Sequence, residues 1–503
     1  MKKALNMKKF LMVICCILSF GFVLAGCSTV SMIKNDSNEL IYNGNAGVTI
    51  GDYLYFGNSY NEVSSLSDMA GLKDARKSSY LARVNLENIN AKGQNFTPNE
   101  VEKVNSEAVA QENQFMFAIG NYIYYLKPDV HRYTSEEGAS YQFGYSVLCS
   151  VKLNGDKNRE IYTYQGEVSE IEVLEYDGNY YVVAFAGDKL FATKLNNGKG
   201  STKVLGEGVS SVAIPKTQGA ELDGYSDEWN GKIYFTDTDE NDISKIKEVA
   251  VTAGGTEDAE VVGDKNGTVS FVYRQNDLIF YTYTSGSTTR TYYNNVKDLS
   301  GEYYKNEIIL VDNEHEFSSA TISSVFVLQY GTPFETIVYS ANSAIYYKNA
   351  NNGSGRVTIS DDAGNDISSA TIMVVDDRLA YLISSTGVFE VDFAGLTRGN
   401  GDISLTATKT VATMTSINTT LYSYDGEYIY FYAGLEALTE KEQELIDSEK
   451  EEAGIEVSED EEEDITSLDD GTYLYRVSIA TGNTQLLGIT DYEERHSSYV
   501  YKK

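Results

Sequence analysis

Apolar and polar residues alternate in short runs along this chain, and the runs are broken by Gly, Asn and Asp far more than by Pro. Alternation of this kind reads as half-buried β-strands. One unit recurs: a short apolar strand, a turn, then a run resembling Ile-Tyr-Phe. It begins as Val48-Thr49-Ile50, Gly51-Asp52 and Tyr53-Leu54-Tyr55-Phe56. Further copies hold Tyr122-Ile123-Tyr124-Tyr125, Tyr180-Tyr181-Val182, Ile233-Tyr234-Phe235, Leu278-Ile279-Phe280-Tyr281 and Tyr428-Ile429-Tyr430-Phe431. Two looser ones hold Ile337-Val338-Tyr339 and Leu379-Ala380-Tyr381-Leu382. The centres at 55, 124, 181, 234, 280, 338, 381 and 430 lie about 54 residues apart on average. No helical period competes with this signal.

Each run is followed by a third strand and, across a polar turn, a fourth. Tyr80-Leu81-Ala82-Arg83-Val84, Leu190-Phe191-Ala192-Thr193 and Tyr473-Leu474-Tyr475-Arg476-Val477 are examples. Four antiparallel strands per repeat, arranged radially, predict an all-β β-propeller. A blade cannot cover its own faces, so stability must come from blade packing on blade around a closed ring. Eight second strands predict eight blades; the looseness of the sixth and seventh leaves seven open.

The string Ile233-Tyr234-Phe235-Thr236-Asp237 resembles the Tyr-Trp-Thr-Asp repeat of propellers related to the low-density-lipoprotein receptor. It is similar in this to bacterial extracytoplasmic propellers of unknown function. Phe235 stands where that repeat has Trp, and one blade alone keeps Thr-Asp. The resemblance implies a fold and carries over no catalytic residue.

The first residues carry a signal of another kind. Lys2, Lys3, Lys8 and Lys9 precede an uncharged apolar run from Phe10 to Leu24, then Ala25-Gly26-Cys27. A basic stretch, an apolar stretch too short to span a bilayer, and small residues make a secretory signal. Leu24-Ala25-Gly26-Cys27 resembles the bacterial lipobox, which implies diacylglycerol on the Cys27 sulfur and cleavage before it. The expected organisation is a lipoprotein signal peptide over 1–26, a tether over 27–39 and the propeller over 40–503. The expected location is the extracytoplasmic face of the cell membrane, with acyl chains such as palmitate as the anchor. Two or more acyl chains hold a protein stably, whereas one does not.

Removing the four lysines of the signal takes the net charge from −34 to −38. Nonspecific nucleic-acid binding is excluded, because it needs clustered Lys and Arg. An anionic leaflet would repel the body of the protein. Cys15 and Cys16 leave with the signal and Cys27 takes lipid, so Cys149 has no disulfide partner. Within Val147-Leu148-Cys149-Ser150-Val151 it reads as a small buried hydrophobe.

Candidate chemistry is sparse. His131, His315 and His496 are far apart, and none has a metal-site spacing to another His or Cys. No nucleophile elbow, phosphate loop or dinucleotide fingerprint is present, so the sequence names no catalytic, cofactor or metal residue. Asp237, Asp239, Asn241 and Glu248 follow part of the EF-hand spacing. Asp242 replaces the glycine that loop needs, and strands flank it, so an acidic hairpin turn is the better reading.

Residues 434–470 hold seventeen Asp or Glu against Lys441 and Lys450. Thr439 and Glu442 form a capping box for a polar helix over 440–452, and the charge density of Ser458 to Asp470 predicts disorder. This acidic, partly helical insertion separates the second and third strands of blade eight. Long insertions fall at the same place in blade one (58–79) and blade two (127–145). Three neighbouring insertions on one face predict the interaction surface, since function resides on loops held by a rigid scaffold. The expectation is a monomeric, lipid-anchored binding module for a protein, cell-wall or glycan partner. Two alternatives stay open: a polysaccharide hydrolase or lyase using channel carboxylates, and an envelope-assembly scaffold. Ring closure is expected from an outer strand of blade eight beside Thr484–Leu487, supplied by Leu40–Tyr42 or by the strand-like Ser498–Tyr501, with Leu40–Tyr42 favoured.

Overall fold

The structure, a computed structural model, describes residues 38–58, 80–89, 101–105, 115–135, 138–296, 308–309, 322–434 and 472–488, with short gaps. The gaps are 88, 136–137, 165, 167, 216–228, 239–242, 276, 342–343, 377, 415 and 421. The strands form eight sheets in a ring, each built on four antiparallel strands from one contiguous stretch. Every Ile-Tyr-Phe-like run is the second strand of its blade. These strands are Tyr53–Asn58, Tyr122–Ser135, Asn179–Ala186, Lys232–Thr238, Leu278–Ser285, Thr336–Ala341, Leu379–Ser384 and Tyr428–Gly434. No described helix is long and apolar enough to cross a membrane.

The blade count is decided by packing. The core divides into eight apolar clusters, one at each blade–blade interface. The cluster joining blade eight to blade one holds Leu54, Phe56, Tyr430 and Leu474, all fully buried. Burying each such side chain contributes about 1.5–3 kcal/mol, an upper bound given a partly collapsed unfolded chain. An open ring would expose two of these faces. Tyrosine suits the interfaces because its ring packs on one blade while its hydroxyl reaches the next. Tyr55 Oη donates to the Leu153 carbonyl of blade two at 3.0 Å, and Tyr124 Oη accepts from the Gly198 N–H of blade three at 2.9 Å. Cys149 is fully buried in the cluster between blades one and two, as its flanking residues predicted.

One backbone bond repeats around the ring. The N–H just after the third strand donates into the turn between first and second strands: Leu86 to Asp52, Leu153 to Asn121, Val251 to Gly231 and Phe393 to Arg378, at 2.7–3.2 Å. It ties two connections on one face of the ring, which we call the turn face. The opposite, hairpin face carries the connections between second and third strands.

Three features differ from expectation. Leu40–Ile41 does not extend blade eight; Leu40 pairs with Ile119 and Ile41 with Ala118, on the innermost strand of blade two. Apolar packing explains this, because Tyr42 then sits edge-on to Phe115 and Phe117 at 5.8 and 6.4 Å. In blade two the insertion is a prolongation of the strands themselves, Tyr122–Ser135 pairing with Gly138–Lys152. On the returning strand Tyr141, Phe143, Tyr145 and Val147 alternate with Gln142, Gly144 and Ser146, a strand pattern that continues the sheet rather than forming a loop. Finally, Ile403–Thr406 leaves blade seven and pairs in parallel with the outer strand of blade six, Ser354–Ser360. That return strand follows a short 3-10 helix, Ala394–Arg398, and couples two neighbours at their rims.

Candidate functional site

Connections on the hairpin face divide the ring into two sectors. Blade eight breaks between Gly434 and Thr472, and blade one between Asn58 and Tyr80. Blade two carries its long arm. The other five blades close the same connection in two to four residues, as at Gly187-Asp188, Gly286-Ser287 and Ser385-Thr386. The shared apolar cluster makes blades eight and one neighbours. The three large connections are therefore contiguous on one face. Residues 59–79 and 435–471, with the expected helix and capping box, lie outside the described residues, as do Cys27, His315, His496 and the strand-like 498–501. The backbone of His131 lies in the blade-two arm.

The blades beneath this sector are pinned by two equivalent arginines. Arg83 and Arg476 occupy matching third-strand positions, opposite Tyr55 and Tyr430. Arg83 is fully buried, with its guanidinium 4.4 Å from the Tyr53 ring centroid. Its Nε and Nη2 meet Glu102 at 2.7 and 2.6 Å, and Nη1 donates to Tyr55 Oη at 3.2 Å. Since Tyr55 Oη donates onward to blade two, the chain Glu102–Arg83–Tyr55–Leu153 crosses the interface. Arg476 repeats the arrangement: 4.3 Å over the Tyr428 ring, Nε to Gln485 at 2.8 Å, and Nη2 to the Leu86 carbonyl of blade one at 3.5 Å. Burial, then the adjacent Asp425 carboxylate, pushes the Tyr430 hydroxyl far above its ordinary pKa, and it donates to Asp425 at 2.5 Å. These groups build a rigid base beneath the sector.

The innermost strands show what the axis offers. Side chains cap their backbone edges: Gln275 bonds both the N–H and carbonyl of Val327, and Ser211 accepts from the Phe271 N–H. Nearby, Arg274 donates to the Lys232 carbonyl at 2.6 Å, and full burial pulls its pKa down to about 10. Carboxylates on the described inner strands fall on one strand, Val168–Tyr176 of blade three. Glu170 and Glu172 share its face toward blade four, with Glu172 buried opposite Val183.

Blades eight and two are capped differently, by the chain's own first described residues. From Leu40–Ile41 on blade two, the chain crosses in front of blade one to the inner strand of blade eight. There Asn43 accepts from the Tyr424 N–H at 2.9 Å and Asn45 donates to the Tyr422 carbonyl at 2.8 Å. Ser423 Oγ accepts from the Ala46 N–H and donates to the Gly47 carbonyl. Gly44 (φ +122°) and Gly47 (φ +152°) are required here, since a Cβ on either would lie 2.6 Å from a carbonyl oxygen. We call residues 40–47 the strap.

The EF-hand-like string does not assemble. Asp237 pairs with Lys247 at 2.5 Å, and Glu248 pairs with Lys232. Glu248 lies opposite Tyr234 and Asp237 opposite Lys245, three positions apart along Lys232–Thr238, so the two carboxylates take opposite faces of the sheet. Residues 239–242 lie outside the described residues.

No protein-family model matches the chain, and no curated protein matches it. Solved structures do resemble it. An uncharacterized protein of Listeria monocytogenes is 13% identical, with TM-score 0.34, over 72% of this chain and 95% of its own. The Dos1 propeller is 10% identical, with TM-score 0.37, over 78% of this chain and 90% of its own. The β-propeller domain of the trilobed protease of Pyrococcus furiosus is 10% identical, with TM-score 0.32, over 71% and 96%.

Proposed function

We propose that this propeller is a lipid-anchored, extracytoplasmic binding module that presents the hairpin face of blades eight, one and two to a protein or glycan partner. The observation carrying the anchor is Leu24-Ala25-Gly26-Cys27 behind a basic and then an apolar stretch. Contiguous large connections on pinned blades support the binding surface. The inner strands support binding over hydrolysis. Among the described inner strands, Glu170 and Glu172 turn toward blade four and Glu175 takes the opposite face of the same strand, so none of them is opposed by a carboxylate of another inner strand across the axis, as a pair flanking a glycosidic bond would be.

Metabolic labelling with a fatty acid tests the anchor. The native chain should carry label in the membrane fraction, and Cys27→Ala should abolish it and leave an uncleaved precursor or a released protein. A native chain without label would end this reading.

A further inference from the structure

The strap fixes where the chain enters the ring. Leu40 lies opposite Ile119, immediately before the Gly120-Asn121 turn of blade two. The Tyr180 hydroxyl, at the same end of blade three, meets the backbone of Leu40 and feels the charge of Glu39. Residue 39 is therefore at the turn face, close to the axis. From there the strap runs antiparallel to the inner strands toward the hairpin face, and the chain reverses at Gly47 into Val48–Ile50.

We infer that the turn face lies toward the bilayer and the insertion-bearing hairpin face points away from it. This rests on the anchor at Cys27 proposed above. Eleven residues of chain lead from Cys27 to Asn38, so they reach at most ~40 Å. The average end-to-end distance of an eleven-residue coil is ~20 Å. To turn the hairpin face to the membrane, the segment must first cross three strand spacings and the side chains to the rim, ~20 Å. It must then climb the height of a nine-residue strand such as Val168–Tyr176, ~30 Å more. Around the rim that path exceeds full extension, and even straight along the axis the ~30 Å height exceeds the average reach of the segment. Lying rim-down keeps the entry point above the average reach, which costs chain entropy, whereas turn-face-down needs no stretching. On the turn face the exposed acids Asp52, Glu87, Asp156, Asp177, Glu257, Asp258, Asp376 and Glu427 outnumber the exposed Lys157, Lys199, Arg378 and Arg398, so on an anionic leaflet it hovers rather than adheres.

Two labels on one blade read the orientation. Asp177 and Asp188 are both exposed, Asp177 on the turn face and Asp188 on the hairpin face of blade three. The full lipidated chain carrying Asp177→Cys or Asp188→Cys would be dye-labelled and reconstituted into phosphatidylcholine vesicles bearing a surface energy-transfer acceptor. Cys149 is buried and should not label. The expected result is several-fold stronger transfer from position 177. Lengthening the tether by about thirty Gly/Ser residues should erase the difference. Flotation with the vesicles is scored first. A protein that does not float overturns the anchor and the orientation with it; one that floats with equal or reversed transfer overturns the orientation alone.

Discussion

The guanidinium of Arg83 is wholly buried, yet its donors meet a carboxylate and a hydroxyl and its face lies on Tyr53. A buried cation is costly unless it is paired in this way. Glu102, its partner, is 44% exposed, so losing Arg83 leaves a carboxylate that water can solvate. The cost of Arg83→Ala should then come from lost packing, the stacked ring and the Tyr55 bond, about 2–4 kcal/mol. Arg83→Met keeps most of the stem volume and should lose roughly half as much. Denaturant unfolding measures both. An alanine variant within about 0.5 kcal/mol of the native protein would remove Arg83 from the interface staple. The Arg-Val pairs of the third strands were visible in the sequence as Arg83-Val84 and Arg476-Val477. Their burial was not, because a strand pattern gives the face a residue takes but not the neighbouring blade against it.

At the scale of elements, the sixth and seventh second strands, with one Tyr each, were read from their spacing; the other six of the eight were legible because each carries an apolar, aromatic run directly after a Gly, Asn or Asp turn. That signal is local. The strap and the return strand Ile403–Thr406 were not legible, because each pairs with residues remote in sequence: Gly44 with Ser423, and Val357 with Ile403. The blade-two arm was placed correctly but read as a loop, although its strands carry on for several residues beyond Leu126 and Leu148. In blade eight the second and third strands pair in register up to Gly434 and Thr472, so the sheet is complete without what lies between. Replacing residues 435–471 with a two-residue turn should leave the thermal midpoint nearly unchanged, since five blades already close this connection briefly. A broad or strongly lowered transition on calorimetry would show that the insertion packs into the ring.

For the molecule as a whole, the interface between blades eight and one is distinct. Seven interfaces join blades that follow one another in the chain, and this one joins the last blade to the first. It is held by its apolar cluster, by Arg476 on the Leu86 carbonyl, by Tyr432 on the Gly57 carbonyl, and by the strap on Tyr422–Tyr424. The strap alone also reaches blade two, so it spans two interfaces at once. Without it, the inner edges of blades two and eight lose backbone partners, at about 0.5–1.5 kcal/mol for each bond. Deleting residues 28–43 should therefore lower the stability of the entire ring rather than fray one end. Gly44→Val makes the same test without shortening the chain, because its side chain would strike the Tyr422 carbonyl at a backbone angle costing about 1–3 kcal/mol. Both variants should still unfold in one transition, with the midpoint shifted to lower denaturant, because opening one interface exposes two blade faces and removes support from the rest. A normal midpoint in both would mean that the apolar cluster closes the ring without the strap.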